Sequence, residues 1–204
     1  MPTDLAPARA PGAARAFSGA PLPLVALPQG DLLTVNQDDL PLLTDALGPG
    51  VHYRMLRLDL EHNEWVALAT FEPGSGVPLH YHTGPAEVFT LQGRWLYKEH
   101  PDQPQTAGSY LYEPAGSYLY EPAGSVHTLY APADNTEDTI IFVRVSGTNI
   151  NFDERGGFHS LLDAMSLRHL TDTLAGERGL GMPSYIDGGS AAMTATSNGG
   201  DRAK

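Results

Sequence analysis

Three histidines carry the residue type and spacing that suit metal chemistry. His80 and His82 stand two positions apart, and His127 follows much later in the chain. Residues two apart on a β-strand point to the same face, so His80 and His82 can present both imidazoles to one ion. Three neutral imidazoles suit iron, zinc, copper or nickel and leave coordination positions open for water, substrate or dioxygen. The spacing therefore predicts a catalytic metal site at His80, His82 and His127.

The residues before the third histidine are those of a tight corner between strands. Gly116, Pro122 and Gly124 precede His127 in the pattern Gly-x5-Pro-x-Gly-x2-His. Proline and glycine supply the backbone angles that such a turn needs. A His-x-His pair alone is weak evidence in a chain with eight histidines. The corner and the third histidine together favour a built site over chance spacing.

Both segments resemble the two motifs of the cupin superfamily. Those motifs are a glycine, His-x-His, a glutamate and a glycine, followed by Gly-Pro-Gly-His and an asparagine. The resemblance implies an all-β fold, the cupin double-stranded β-helix or jelly-roll barrel. The chain departs from the pattern twice, because Ala131 stands at the usual asparagine and the distance from Glu87 to Gly93 is one residue short.

The second departure bears on a carboxylate ligand. If the motif is aligned on Gly93, its glutamate position falls on Ala86. If it is aligned on the histidine pair, the glutamate position falls on Glu87. Ala86 and Glu87 lie on opposite faces of a strand. We therefore expect three histidine ligands without a carboxylate, and Glu87 either near the ligands as an outer group or at the surface.

Over residues 21–189 the chain is similar to the 2,4'-dihydroxyacetophenone dioxygenases and, more distantly, to acetylacetone-cleaving dioxygenases. Segments 77–87 and 161–170 carry this resemblance. It implies non-haem Fe(II) held by the three histidines, and cleavage by O2 of a small aromatic hydroxyketone to 4-hydroxybenzoate and formate. A β-diketone-cleaving dioxygenase is one alternative. A non-catalytic cupin, such as the zinc-binding sensor domain of anti-sigma factors, is another.

Four residues are candidates for a substrate pocket: Tyr81, Glu87, Trp95 and Tyr97. Trp95 and Tyr97 share one face of a predicted strand, and could line the barrel interior and hold an aromatic ring. Ordinary packing in a core or interface explains them equally well. Tyr81 and Glu87 could assist proton transfer only if the strand turned them inward.

An eight-residue segment occurs twice in tandem, at Ala107–Pro114 and Ala115–Pro122. Only the second copy reaches a histidine, His127, at the motif spacing, so this copy must supply the corner. Because eight is even, the first copy can lie in the preceding loop without reversing the faces of the next strand. We expect the connection 101–105 to absorb it, and weaker iron binding than in a single-copy version.

Alternating or apolar runs between turn-forming residues predict strands. These runs are 51–60, 64–71, 87–92, 94–98, 117–121, 126–130 and 139–145. Helical spacing appears only near the carboxyl end, over 161–174, where the apolar stripe changes side near Ser166. That change implies a bend, or a helix that contacts its own barrel with one half and a second subunit with the other.

Length and composition are those of one globular domain, since the chain has 204 residues, 41% of them hydrophobic. We expect a flexible segment at 1–20, the cupin domain at 21–189 and a flexible tail at 190–204. The net charge of -12 argues against partners such as nucleic acid or an anionic membrane. The absence of cysteine excludes disulfides and thiolate ligands. We expect a cytoplasmic homo-oligomer, either a dimer or a tetramer.

Overall fold

The computed structural model describes most of the chain. Side chains and backbone are described for residues 33–107 and 118–188, and the backbone alone for 13–15, 21–25 and 192–193.

The chain divides into two compact units, Met1–Leu32 and Leu33–Lys204. The smaller unit contains an antiparallel pair of strands, β1 (Ala13–Arg15) and β2 (Pro21–Val25). The predicted domain start at residue 21 thus falls inside this unit. Most of the predicted flexible segments, 1–20 and 190–204, lies outside the described residues.

In the larger unit, the described residues open with a 3-10 turn at Gln37–Asp39 and then form strands and one α-helix. The strands are β3 (Val51–Asp59), β4 (Glu64–Phe71), β5 (Gly76–His82), β6 (Ala86–Gln92), β7 (Arg94–Tyr97), β8 (His100–Thr106), β9 (Tyr118–Glu121), β10 (Val126–Tyr130), β11 (Thr139–Ser146), β12 (Asn149–Phe152), β13 (Phe158–Leu162), β14 (Ile186–Asp187) and β15 (Ala192–Met193). The helix is α1 (Ala164–Glu177).

These strands form two sheets. One has the order β15-β14-β3-β4-β11-β6-β9 and the other the order β13-β12-β5-β10-β7-β8. All neighbours are antiparallel except β14 and β3. Residues from both sheets share one apolar core, which includes Tyr53, Phe71, Trp95 and Leu129. The mostly β architecture of two antiparallel-rich sheets confirms the predicted all-β class.

Strand alternation explains which residues reach the core. Along β11 buried and half-buried positions alternate, so that Ile141, Val143 and Val145 face inward. Period-two patterning of this kind suits a sheet with one face on the core and the other facing outward. The same rule places each candidate ligand in the barrel.

The seven predicted strands are all present, with no end displaced by more than one residue. The prediction for 101–105 was wrong, because this segment forms β8 and pairs with β7 instead of looping. The second copy of the repeat supplies β9, as expected. The path of the first copy lies outside the described residues, since 108–117 are not described.

The predicted helix starts later than expected, because residues 161 and 162 belong to β13. Asp163 caps α1 by accepting a hydrogen bond from the Ser166 amide at 2.7 Å, and Ser166 Oγ accepts one from the Asp163 amide at 2.8 Å. Leu167, Thr171 and two alanines then form one buried face. The apolar stripe over 161–174 therefore changes side because a strand gives way to a helix there. Neither a bend nor a second subunit is needed to explain this change.

Among the described residues, no helix is long and apolar enough to cross a membrane.

Candidate metal centre and adjoining cavity

The structure brings the three predicted histidines together inside the barrel. Strand β5 turns His80 and His82 to the same face, and β10 places His127 directly opposite His80. Their ring centroids lie 4.7 to 5.0 Å apart, and all three residues are more than nine-tenths buried. One ring nitrogen from each lies within 4.8 Å of the others. This convergence is what the spacing predicted.

The protonation of His80 suits a metal ligand. Its Nδ1 lies 2.8 Å from the Pro78 carbonyl oxygen, which can only accept, so Nδ1 carries the proton and Nε2 keeps its lone pair. Burial lowers the pKa of His80 to about 4, and the neighbouring imidazoles of His82 and His127 act in the same direction. His80 is therefore neutral near pH 7, the form that binds metal.

A carboxylate that the sequence analysis did not anticipate lies beside two of the imidazoles. Glu121 Oε2 lies 2.8 Å from His82 Nε2 and 3.2 Å from His127 Nε2, and these two nitrogens lie 3.1 Å apart. Oε2 is buried and makes no hydrogen bond of acceptable geometry. Adjacent ligands bound at about 2.1 Å and at right angles would lie about 3 Å apart. Glu121 Oε2 therefore lies close enough to act on an ion that the three histidines would hold.

The Tyr97 side chain holds Glu121 in this position. Its hydroxyl donates a hydrogen bond to Glu121 Oε1, and its ring stacks on His127 with centroids 3.9 Å apart. Burial raises the pKa of Glu121, but the adjacent His127 and His82 imidazoles outweigh it and hold the pKa below its ordinary value. Burial and Glu121 both raise the pKa of Tyr97. Tyr97 is therefore a neutral donor and Glu121 an anion.

The register of β6 decides which of Ala86 and Glu87 faces the histidines. Gly93 has a φ of +73° in the turn from β6 to β7, and a Cβ there would lie 2.8 Å from Asp138 O. The strand is thus fixed at Gly93, Ala86 faces inward and Glu87 faces outward, where it accepts a hydrogen bond from Arg144 at 2.6 Å. Glu87 therefore lies at the surface, one of the two places expected for it, and β9 instead places Glu121 beside the imidazoles.

The structure places the four residues predicted to line a substrate pocket differently with respect to the cavity. Tyr97 lines the cavity beside the histidines. Trp95 is fully buried, but it lies outside the cavity lining and donates a hydrogen bond to Thr90 at 3.0 Å. Tyr81 and Glu87 also lie outside the lining, because each is one position away from an inward-facing residue. Only Tyr97 of the four contacts the site.

An apolar cavity of about 70 Å³ adjoins the histidines. Its wall includes His80, His82, Tyr97, Glu121 and Asn149, and otherwise consists of hydrophobic side chains. They are Leu47, Val51, Tyr53, Met55, Trp65, Ala67, Ala69, Phe71, Val77, Ala86, Val88, Leu129, Ile141, Val143, Val145, Leu162 and Leu167. An apolar pocket with a few convergent polar groups is the usual form of a small-molecule site.

A second pocket of about 230 Å³ adjoins the cluster. It shares Tyr97 and Glu121 with the apolar cavity, and His127 lines it too. The remaining lining is mostly polar and comes from β8, β9 and the turn before β10. The candidate metal centre thus borders both an apolar cavity and a polar pocket.

Glu121 and Asn149 were both missed from the sequence. A signal for Glu121 existed, because Leu119 packs on the core and residues two apart on β9 share a face. Asn149 gave no comparable signal, since β12 is a short strand that the pattern did not predict. Its place on the cavity wall depends on pairing with β5.

The donor set fits a divalent transition-metal ion. Neutral imidazole suits iron, zinc, copper and nickel, and a carboxylate broadens that set without excluding any of the four. A cation held by the three histidines would relieve the close approach of the His82 and His127 Nε2 atoms, and the anionic Glu121 beside them would favour that cation.

Comparisons with known proteins agree with the fold. Residues 32–117, which include His80 and His82, match the family described as the ChrR Cupin-like domain. No curated protein sequence matches the chain. An RmlC-like cupin from Ralstonia eutropha is similar at 26% identity, with 73% of this chain and 90% of that chain covered and a TM-score of 0.64. An acetylacetone dioxygenase from Acinetobacter johnsonii shares the fold at 16% identity and a TM-score of 0.54, with 71% and 93% covered.

A further solved structure is similar over the whole of its own length. This protein of unknown function with a cupin-like fold, from Ralstonia eutropha, is 35% identical to this chain. The match covers 83% of this chain and 100% of that chain, with a TM-score of 0.70. With this relative, the family match and the histidine geometry together, the chain belongs to the cupin superfamily.

Proposed function

We propose that this cupin is a non-haem Fe(II) dioxygenase that cleaves the side chain of 2,4'-dihydroxyacetophenone. The observation that supports the proposal is the cluster of three imidazoles and one carboxylate on the wall of an apolar cavity. The bond between the carbonyl carbon and the hydroxymethyl carbon breaks, and each carbon gains one atom of O2. The products are 4-hydroxybenzoate, formate and two protons, so atoms and charge balance.

The cavity favours catalysis over a purely structural metal. A structural site is normally closed by protein ligands, whereas a catalytic site keeps positions open for substrate. Fe(II) held there supplies a Lewis acid for the ketone oxygens and a centre at which dioxygen reacts. The apolar side chains around it disfavour water and match an aromatic ring in polarity.

Glu121 is the group beside the imidazoles that would receive a proton. Its Oε2 is anionic and makes no hydrogen bond, and Oε1 is held by Tyr97. We assign it the proton from the hydroxymethyl carbon, whose removal leaves the electron-rich enediolate that dioxygen attacks. Tyr97 orients the carboxylate, so that Oε2 and not Oε1 faces the substrate.

A β-diketone is the alternative substrate class. The acetylacetone dioxygenase from Acinetobacter johnsonii shares the fold, but at 16% identity this likeness concerns the fold alone. Segments 77–87 and 161–170 resemble the hydroxyketone enzymes, and this resemblance favours the aromatic substrate. Both classes offer two oxygen atoms to one ion.

A non-catalytic metal-binding cupin is the second candidate function, and the matched family description favours it. That description names a ChrR Cupin-like domain over residues 32–117. A binding protein of this kind has no need for an apolar cavity that opens onto its metal. The dioxygenase and the non-catalytic binding protein would both bind a metal, and only the dioxygenase would turn over substrate.

The proposal is tested by oxygen uptake in Fe(II)-reconstituted protein given 2,4'-dihydroxyacetophenone, with iron content and organic products measured in the same sample. We expect one O2 consumed per ketone, with 4-hydroxybenzoate and formate formed in equal amounts. His127→Ala should lose iron and activity, whereas His159→Ala is the matched control, because His159 is exposed on β13. Turnover of acetylacetone instead would favour the β-diketone, and iron-loaded protein inactive on both would favour the binding role.

A further inference from the structure

One amide on the cavity wall has an unused hydrogen-bonding atom. Asn149 lies on β12, is 6% exposed, and its Oδ1 is buried without a hydrogen-bond partner. A buried acceptor without a partner loses the hydrogen bond that it would make to water in the unfolded chain. Such a group in a binding cavity is a candidate for contact with a ligand.

Strand pairing places this amide beside the metal ligands. Asn149 is the register partner of His82, and Asn151 is the partner of His80. Both asparagines therefore project from the same face of the sheet as the imidazoles. The Oδ1 of Asn151 is also buried without a hydrogen-bond partner, but Asn151 lies outside the cavity lining and donates from Nδ2 to Ser160 Oγ at 3.1 Å. Only Asn149 of the two lines the apolar cavity together with His80 and His82.

An unpaired nitrogen of His82 offers a competing explanation. His82 Nδ1 is also buried and without a partner, so the Asn149 amide could serve to orient the His82 ring. In the structure the two side chains make no hydrogen bond to each other. The two roles differ in what removal of the amide would change, since an orienting group acts on metal affinity and a recognition group acts on ligand affinity.

We propose that Asn149 Oδ1 accepts a hydrogen bond from the hydroxyl of the bound hydroxyketone, and so selects an α-hydroxyketone over a β-diketone. This inference rests on the proposed function. A hydroxyketone that chelates an ion through its carbonyl and hydroxyl oxygens still carries a hydroxyl proton to donate. A β-diketone binds as its enolate, which has two acceptor oxygens and no donor, and it leaves Oδ1 unpaired. A site with a buried hydrogen-bonding group discriminates against the ligand that cannot use it.

Binding to the Zn(II)-loaded full-length protein separates this inference from turnover, because zinc has no redox chemistry. Isothermal titration calorimetry would measure 2,4'-dihydroxyacetophenone and acetylacetone against wild type, Asn149→Leu and Asn151→Leu. We expect Asn149→Leu to weaken hydroxyketone binding about tenfold and to leave acetylacetone binding within about twofold of wild type. Asn151→Leu is the matched control, with the same residue type, strand and face, and should change neither ligand.

Folding and zinc content are measured on the same samples. Removal of an unpaired buried oxygen should leave the melting temperature of Asn149→Leu unchanged or raise it, and zinc affinity should stay as in wild type. Equal weakening of both ligands would overturn the inference, and so would a loss of zinc affinity, which would assign the amide to His82. Binding of neither compound by wild type would contradict the proposed function itself, and the inference with it.

Discussion

Ala86 and Glu121 are register partners on neighbouring strands. Ala86 in β6 faces the cavity at the position where the first cupin motif usually has its glutamate, and Glu121 in β9 lies directly opposite. The small alanine side chain leaves room for the carboxylate to reach His82 and His127 from the adjacent strand. The site thus has its carboxylate from the second motif and not from the first.

Because the carboxylate beside the imidazoles comes from Glu121, the substitution Glu121→Gln should have a specific effect. The amide keeps the shape but loses the negative charge beside the two imidazoles, so zinc affinity should fall about 10- to 100-fold. Competition against a chromophoric chelator would measure it. Glu87→Gln is the matched control, because Glu87 lies on the outer face and contacts Arg144. Equal zinc affinity in wild type and Glu121→Gln would show that the carboxylate does not interact with the ion.

Tyr97→Phe tests whether the hydroxyl acts through Glu121. The phenyl ring keeps the stacking on His127, and only the hydrogen bond to Glu121 Oε1 is lost. We expect a smaller loss of zinc affinity than for Glu121→Gln, and no further loss when the two substitutions are combined. A double variant with fully additive losses would mean that Tyr97 acts on the ion independently of Glu121.

The sequence predicted the parts of this site that depend on local periodicity. Two imidazoles at i and i+2, and a turn before a third, need only strand alternation and turn chemistry, and the structure shows both. Glu121 needed one further step, because its face follows from Leu119 on the same strand. The approach of β9 to the imidazoles depends on the pairing of β6 with β9, which no local pattern encodes.

Two errors in the secondary structure expected from the sequence, at 101–105 and at 161–162, have a common physical cause. Segment 101–105 is polar and contains prolines, which argues against a strand, yet it forms the edge strand β8, where prolines are tolerated. Residues 161 and 162 carry apolar side chains that suit a helix or a strand, and pairing of β13 with β12 decides for the strand. In both segments tertiary pairing overrides a weak local preference.

On the outer face, Glu64 and Glu87 share the guanidinium of Arg144 but differ in burial. The Glu64 side chain is 11% exposed and also accepts hydrogen bonds from Arg57 and Ser146, whereas Glu87 is 36% exposed. Glu64→Gln should therefore lower the free energy of unfolding by about 1–3 kcal/mol, and Glu87→Gln by less than about 1 kcal/mol. Urea unfolding of the two variants measures the difference, and equal losses would contradict this ranking.

The metal-free protein should lose stability in mild acid through His80. Burial lowers the folded-state pKa of His80 from 6.5 to about 4, so between these values the unfolded chain binds a proton that the folded chain does not. The free energy of unfolding therefore falls as the pH falls through this window, by up to about 3 kcal/mol in total. Urea unfolding at pH 7 and pH 5 should show the loss, and His80→Gln should reduce it. An unchanged pH dependence in that variant would assign the loss to other groups.

Deletion of residues 107–114 tests whether the tandem repeat weakens the metal centre. The second copy alone supplies β9 and the corner before His127, so the shortened chain keeps the metal-site spacing, with Ala115 to Ser117 joining β8 to β9. Because both copies have the same sequence, either could pair with β6, and equal preference would halve the competent population. We therefore expect iron affinity to rise about twofold on deletion.

Leu111→Pro is the control that keeps the loop length but stops the first copy from pairing as a strand. It should match the deletion if the copies compete, and wild type if loop length alone matters, whereas no change in either variant would show that the repeat is neutral.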